Sequence, residues 1–189
     1  MDSQGRRPRR PACFVGLLLL TAHWCGIGLA AAEDEPILLG LVAREEVEAA
    51  MPDWVLAEVE ATPDIDAAGV MAAALSGAKV TVFFGTWCSD SGRELSRLWR
   101  ALDEVGVLSP AEIRYIGVDR ELAEPVPFVT GQDLKLVPTF VVSRGGQEIG
   151  RIVESSPNGI EKDLLALLQG DKNGLITGSE ILEAEGDGH

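Results

Sequence analysis

The stretch Val80-Thr81-Val82-Phe83-Phe84-Gly85-Thr86-Trp87-Cys88-Ser89-Asp90-Ser91 joins two patterns that need different backbones. Val80 to Phe84 is β-branched and aromatic and is bounded by Gly77 and Gly85, which predicts a buried strand. Past Cys88, Leu95, Leu98, Trp99 and Leu102 recur at helical spacing until Gly106 offers a stop. A cysteine therefore stands where a strand turns into a helix. Ile113 to Val118 reads as the next strand, completing β-α-β.

Further out, Glu124 to Leu136 is broken by Pro and Gly and reads as a loop or short helix. Thr139 to Val142 and Glu148 to Val153 read as strands around the turn Arg144-Gly145-Gly146-Gln147. Ile160, Leu164, Leu165, Leu167 and Leu168 then give a helix with a wide apolar face. This order predicts an α/β fold in which helices flank a mixed β-sheet. Before the first strand, Val47, Met51, Trp54 and Val55 share one helical face and Val70, Met71, Ala74 and Leu75 another, with Thr62-Pro63-Asp64 dividing them. The expected organisation is a signal peptide over 1–32, a helical extension over 33–76, the α/β domain over 77–170 and a polar tail over 171–189.

The leader rests on order along the chain. Arg6, Arg7, Arg9 and Arg10 precede an apolar run from Phe14 to Leu20, and small residues end in Ala30-Ala31-Ala32 before Glu33-Asp34-Glu35-Pro36. Cleavage after Ala32 places the mature protein in the periplasm or outside the cell. The segment from Phe14 to Ala32 is also close to the ~20 residues of a membrane helix, so an uncleaved anchor is the competing reading, and the only one that makes a membrane a partner. Removing the leader takes the formal net charge from -14 to about -17. Phosphate contacts need clustered Lys and Arg, and this balance argues against nucleic acid as a partner.

The leader also takes Cys13 and Cys25, so the mature chain keeps only Cys88 and forms no internal disulfide. At a helix start, unpaired N–H groups and the positive end of the helix dipole favour the thiolate, while the Asp90 carboxylate opposes it. Ser91, one helical turn on, has a hydroxyl able to donate to that sulfur. An alcohol does not resolve a mixed disulfide as a second thiol does.

The run Phe83-Phe84-Gly85-Thr86-Trp87-Cys88, the later Val137-Pro138-Thr139-Phe140 and the Gly-Gly hairpin resemble the thioredoxin superfamily over roughly 80–168. Trp87-Cys88-Ser89-Asp90-Ser91 is similar to a thioredoxin-like branch with serine in the second cysteine position. The resemblance implies a thioredoxin-like sheet and a cis Pro138 lying against Cys88. It also implies that Trp87, Val137 and Pro138 line a site where an extended substrate pairs with the backbone of Val137. It departs at Val82, where the family commonly carries a buried carboxylate that assists proton transfer.

Each of these residues also has a plainer reading. Ser91-Gly92-Arg93-Glu94 fits a capping box, which starts the helix after Ser91. Asp90 suits any helix N-terminus, Trp87 is a packing residue, Pro138 suits the first position of a strand, and Cys88 is a small buried hydrophobe. The functional expectation is thiol–disulfide exchange through Cys88, supported by Ser91 and Asp90, with protein thiols or small thiols such as glutathione as partners and no cofactor. The alternative is a redox-inactive module that grips extended peptides beside Pro138.

Asp171 to Glu180 matches positions three to twelve of an EF-hand loop, but Gln169 stands where the first acidic ligand belongs and no second hand follows. Tight calcium binding is not expected. His23 leaves with the leader and His189 is terminal, so neither zinc nor Cys–His catalysis is expected.

Overall fold

In the computed structural model, residues 36–108 and 110–179 are described. The expected leader, 1–32, lies outside them. In chain order the elements are β1 (Gly40–Val42), α1 (Arg44–Ala50), α2 (Pro52–Glu60), α3 (Ile65–Ala74), β2 (Ala78–Phe84) and α4 (Ser89–Glu104). There follow β3 (Ile113–Gly117), α5 (Val126–Val129), β4 (Thr139–Arg144), β5 (Gln147–Val153), α6 (Ile160–Gln169) and β6 (Gly174–Thr177).

The strands form one mixed sheet in the order β1-β3-β2-β4-β5-β6. β2 and β3 run parallel because the whole of α4 lies between them as a crossover. β4 and β5 are antiparallel and joined by Gly145 and Gly146, whose φ values of 60° and 83° give the two left-handed positions of a tight hairpin. Alternation along β2 divides the core. Val80, Val82 and Phe84 face α1–α4 and α6, packing with Val47, Met51, Trp54, Met71, Leu98, Trp99, Leu164 and Leu167. Phe83 faces the other way and packs with Ile116, Val118, Val137 and Val141 beneath the 122–134 segment. That second face carries a single one-turn helix, α5.

Two expected boundaries are corrected. The 33–76 segment is not a separate helical extension: its three helices supply Val47, Met51, Trp54, Met71 and Leu75 to the main core. It also contains β1, which pairs with β3 through Gly40↔Gly117 and Val42↔Tyr115. Three residues are too few to show alternation, and their pairing depends on a distant glycine, since a Cβ on Gly117 would lie 2.2 Å from the Leu38 carbonyl oxygen. Likewise the expected polar tail, 171–189, contains β6, paired in parallel with β5 from Gly150↔Gly174 to Val153↔Thr177. A Cβ at Gly150 would sit 2.8 Å from the Gly174 oxygen, so that pairing too rests on a glycine far away in sequence. Among the described residues no helix is long and apolar enough to cross a membrane.

Candidate functional site

β2 ends at Phe84, and Gly85 to Cys88 turns the chain into α4. The Cys88 N–H donates to the Gly85 carbonyl at 3.0 Å, and the Cys88 carbonyl accepts from Gly92 N–H at 3.2 Å. Cys88 is thus the residue that precedes the first helical turn, with extended backbone angles (φ -107°, ψ 118°). Its side chain is half-buried, and Sγ lies 3.1 Å from the Val137 carbonyl oxygen. A carbonyl is an acceptor, so this is a contact made by the thiol as donor; ionising the sulfur ends it.

Val137 and Pro138 are joined by a cis peptide bond. The carbonyls around it are each held: Leu136 O accepts from the Thr139 hydroxyl at 2.7 Å, Val137 O from Cys88, and Pro138 O from Glu154 N–H at 2.8 Å. The loop is fixed by backbone groups. The resemblance implies that the Val137 backbone pairs with substrate; in the structure its carbonyl accepts from Cys88. The structure thus places Cys88 against the carbonyl of the residue that precedes Pro138.

Ser91 differs from both expectations. α4 begins at Ser89, so Ser91 lies within the first turn and is fully buried. Its Oγ accepts from Gly85 N–H at 3.2 Å, and no hydrogen bond joins it to Cys88. It neither supports the sulfur nor caps the helix. The helix starts three residues earlier than the capping box implies, and position 91 turns to Gly85 rather than to the thiol. Glu94, the expected second half of a capping box, is engaged by Arg93 and by the Ser156 hydroxyl. Asp90 pairs with Arg93 at 2.5 Å.

Trp87 is tied down. Its Nε1–H donates to Val118 O at 3.1 Å, and the ring folds back so closely over Gly85 that a Cβ there would sit 2.4 Å from Cε2. On the ring lies the Arg120 guanidinium, 5.2 Å from its centroid. Behind the same helical turn, the Trp54 ring of α2 occupies the space a side chain at 92 would fill: a Cβ on Gly92 would be 2.7 Å from Trp54 Nε1. Thr86 donates to Pro36 O at 2.7 Å. Sequence reading placed Trp54 on a core-facing helical stripe and Gly92 and Thr86 within motifs, but assigned none of them, nor Arg120, to this site, because each acts through a contact with a residue remote in the chain.

Farther along α4 the contacts are ionic. Arg97 donates to both oxygens of Glu161, at 2.9 and 2.7 Å, and Asp64 N–H adds a third hydrogen bond at 2.9 Å. Burial alone pushes the Glu161 carboxyl up, but Arg97 and the Asp64 amide outweigh it and hold the group below the usual carboxylate range. Arg44 bridges Glu48, Glu58 and Asp103 and lies 5.3 Å from the Trp99 ring centroid. Burial pushes the Glu58 carboxyl up; at Asp103 burial acts the same way but the hydrogen bond and charge of Arg44 hold it down. Tyr115, buried against Trp99 and accepting its N–H at 3.0 Å, is pushed up to about 12 by burial.

Val82 is fully buried in the apolar core, where it offers no proton relay. In the EF-hand-like segment, Gly174 to Thr177 is consumed by β6, and the Thr177 hydroxyl donates to Val153 O at 2.8 Å. Glu180, the expected last ligand, lies outside the described residues. Among the described residues no group of three or more His, Cys, Asp or Glu side chains is arranged to hold a metal ion.

No known protein family matches the chain, and no curated protein matches it. Among solved structures it is similar to a protein of unknown function from Pseudomonas aeruginosa, at 15% identity over 69% of this chain and 88% of that one, with a TM-score of 0.42.

Proposed function

We propose that this chain is an extracytoplasmic thioredoxin-like protein that exchanges disulfides through the single thiol of Cys88. The observation that carries this reading is the contact of Cys88 Sγ, at the start of α4, with the carbonyl before cis Pro138. It supports the reading in two ways. The sulfur precedes a sixteen-residue helix whose first N–H groups and dipole favour negative charge. And a substrate strand that displaces Sγ from Val137 O gains a fixed acceptor beside the sulfur it reacts with.

The exchange conserves oxidation level. Cys88 gives up its proton, its sulfur bonds one sulfur of a disulfide, and the other sulfur leaves as a thiolate that takes up a proton. Release of the adduct then requires a thiol from another molecule, since Ser91 is an alcohol and is turned to Gly85. The reaction partners are protein thiols or small thiols such as glutathione. The second reading, a module that grips extended peptides without redox chemistry, is favoured by the same Cys88–Val137 hydrogen bond, which stabilises the thiol rather than the thiolate.

A neutral probe decides between them. Incubating the protein with 2-hydroxyethyl disulfide and mapping peptides by mass should place one adduct on Cys88, faster in the folded chain than in urea. A folded Cys88 slower than the unfolded one would leave only the binding-module reading. Extracytoplasmic residence rests on the basic, apolar and Ala-x-Ala order of 1–32. Intact mass of protein from the native host should show a chain beginning at Glu33.

A further inference from the structure

The protein is strongly acidic, with a formal net charge of -14, and Asp119, Glu121 and Glu124 flank Arg120 in the segment after β3. Against that background one cation is set apart by its place on the Trp87 ring beside Cys88. Arg93 is spent on Asp90 and Glu94, and Lys135 pairs with Asp133. Arg120 is exposed, and no carboxylate of the described residues lies within ion-pair reach of it. Of the acids next to it, Asp119 and Glu124 are engaged by backbone donors, while Glu121 is exposed to solvent. Asp119 Oδ1 accepts from Ala123 N–H and Glu124 N–H at 2.8 and 3.0 Å, and Glu124 Oε2 accepts from Val126 N–H at 3.0 Å.

Arg120 is also held in place. Its guanidinium rests on the Trp87 ring, and that ring is fixed by Val118 O and by its close approach to Gly85. Stacking on the ring face engages the plane of the guanidinium and leaves its edge N–H groups free to donate. Trp87 immediately precedes Cys88, and both side chains join the same apolar cluster with Val137. The arrangement is a pre-positioned fork of donors one residue from the thiol, in a protein that otherwise repels anions.

Building on the thiol-exchange reading, we infer that Arg120 is a specificity residue that receives a carboxylate of the incoming disulfide, so that the preferred substrates are small disulfides bearing carboxylates close to the sulfur. Guanidinium and carboxylate match as paired donors and acceptors. Binding there sets a reacting sulfur over Cys88 while the rest of the molecule reaches Val137. Arg120 makes no bond to the reacting atoms; it discriminates among disulfides by charge.

The test uses the full chain with three disulfides, read at the Cys88 peptide by mass: glutathione disulfide (anionic), cystamine (cationic) and 2-hydroxyethyl disulfide (neutral). Each rate is divided by that of the unfolded chain. In Arg120→Ala the ratio of the anionic to the neutral rate should fall about fivefold, as expected for one exposed charge pair. It should fall further in Arg120→Glu, with the cationic ratio rising, and should be partly kept in Arg120→Lys, which retains charge without the fork. A normal neutral reaction with the anionic ratio equal in all variants overturns the Arg120 assignment alone. A folded wild type that fails with the neutral disulfide overturns the thiol-exchange reading and this inference with it.

Discussion

The first turn of α4 and its third turn are held by different forces. Around Cys88, Ser91 and Gly92 the inward contacts are neutral, with Val137 O on the sulfur, Gly85 N–H on Ser91 and the Trp54 ring against a glycine, and the Asp90–Arg93 pair lies on the exposed side. At Arg97 the bond is an ion pair from a half-buried guanidinium to the fully buried Glu161 carboxylate, tied in turn to the N-cap of α3 through Asp64. The contrast is between two kinds of anchor. Neutral backbone contacts position Cys88 and Ser91. Two turns away, the Arg97–Glu161 pair and the Asp64 amide lock α3, α4 and α6 together.

Cutting the anchor should have the largest effect. Arg97→Ala leaves Glu161 buried without its partner and should cost about 3–5 kcal/mol in urea unfolding. A loss below 1 kcal/mol would show that the third turn is no more dependent on charge than the first. Next in size, Gly92→Ala drives a methyl into the Trp54 ring and should cost about 1–3 kcal/mol. It should also change the alkylation rate of Cys88 in the folded state, which Arg97→Ala should not do while the protein remains folded. Equal effects of both variants on Cys88 would erase the division between the two turns.

A graded effect follows from acid. The Glu161 carboxyl is held below its ordinary value of 4.5, so the fold binds its proton less tightly than the unfolded chain does. Its contribution is therefore complete above that ordinary value and is lost as pH falls through the lower, folded one. Urea midpoints measured from pH 6 downwards should decline less steeply in Arg97→Ala than in the wild type. Smallest of all, Cys88→Ser should alter stability by less than about 1 kcal/mol, because a serine hydroxyl can donate to Val137 O in the thiol's place. The same variant should form no disulfide adduct at position 88.

Much of this layout was legible before folding. β2, α4, β3, the Gly145-Gly146 hairpin and α6 were readable because their apolar residues repeat with the period of the element they form. The strand-to-helix junction placed Cys88, since both flanking patterns converge on it. β1 and β6 were missed for the opposite reason: three and four residues carry no period, and each strand exists because a remote glycine, Gly117 or Gly150, lets another backbone approach. Ser91 was misjudged because a capping box and the interior of a first turn look alike in sequence, and only the true helix start separates them.

The sequence by itself determined which residue types stand at the junction: a thiol, Cys88, where a strand pattern meets a helix pattern, an alcohol, Ser91, three residues on, and an apolar Val82. Those facts are local and survive any packing. Tertiary structure alone decided what each residue touches. It turned Ser91 to Gly85, gave Val137 O to the sulfur, laid Arg120 on Trp87 and set Trp54 behind Gly92. The physical reason is range: periodicity and capping act over a few residues, and apart from the local Ser91–Gly85 bond these contacts join residues more than 30 apart, as at Cys88–Val137, that meet only once the sheet has formed.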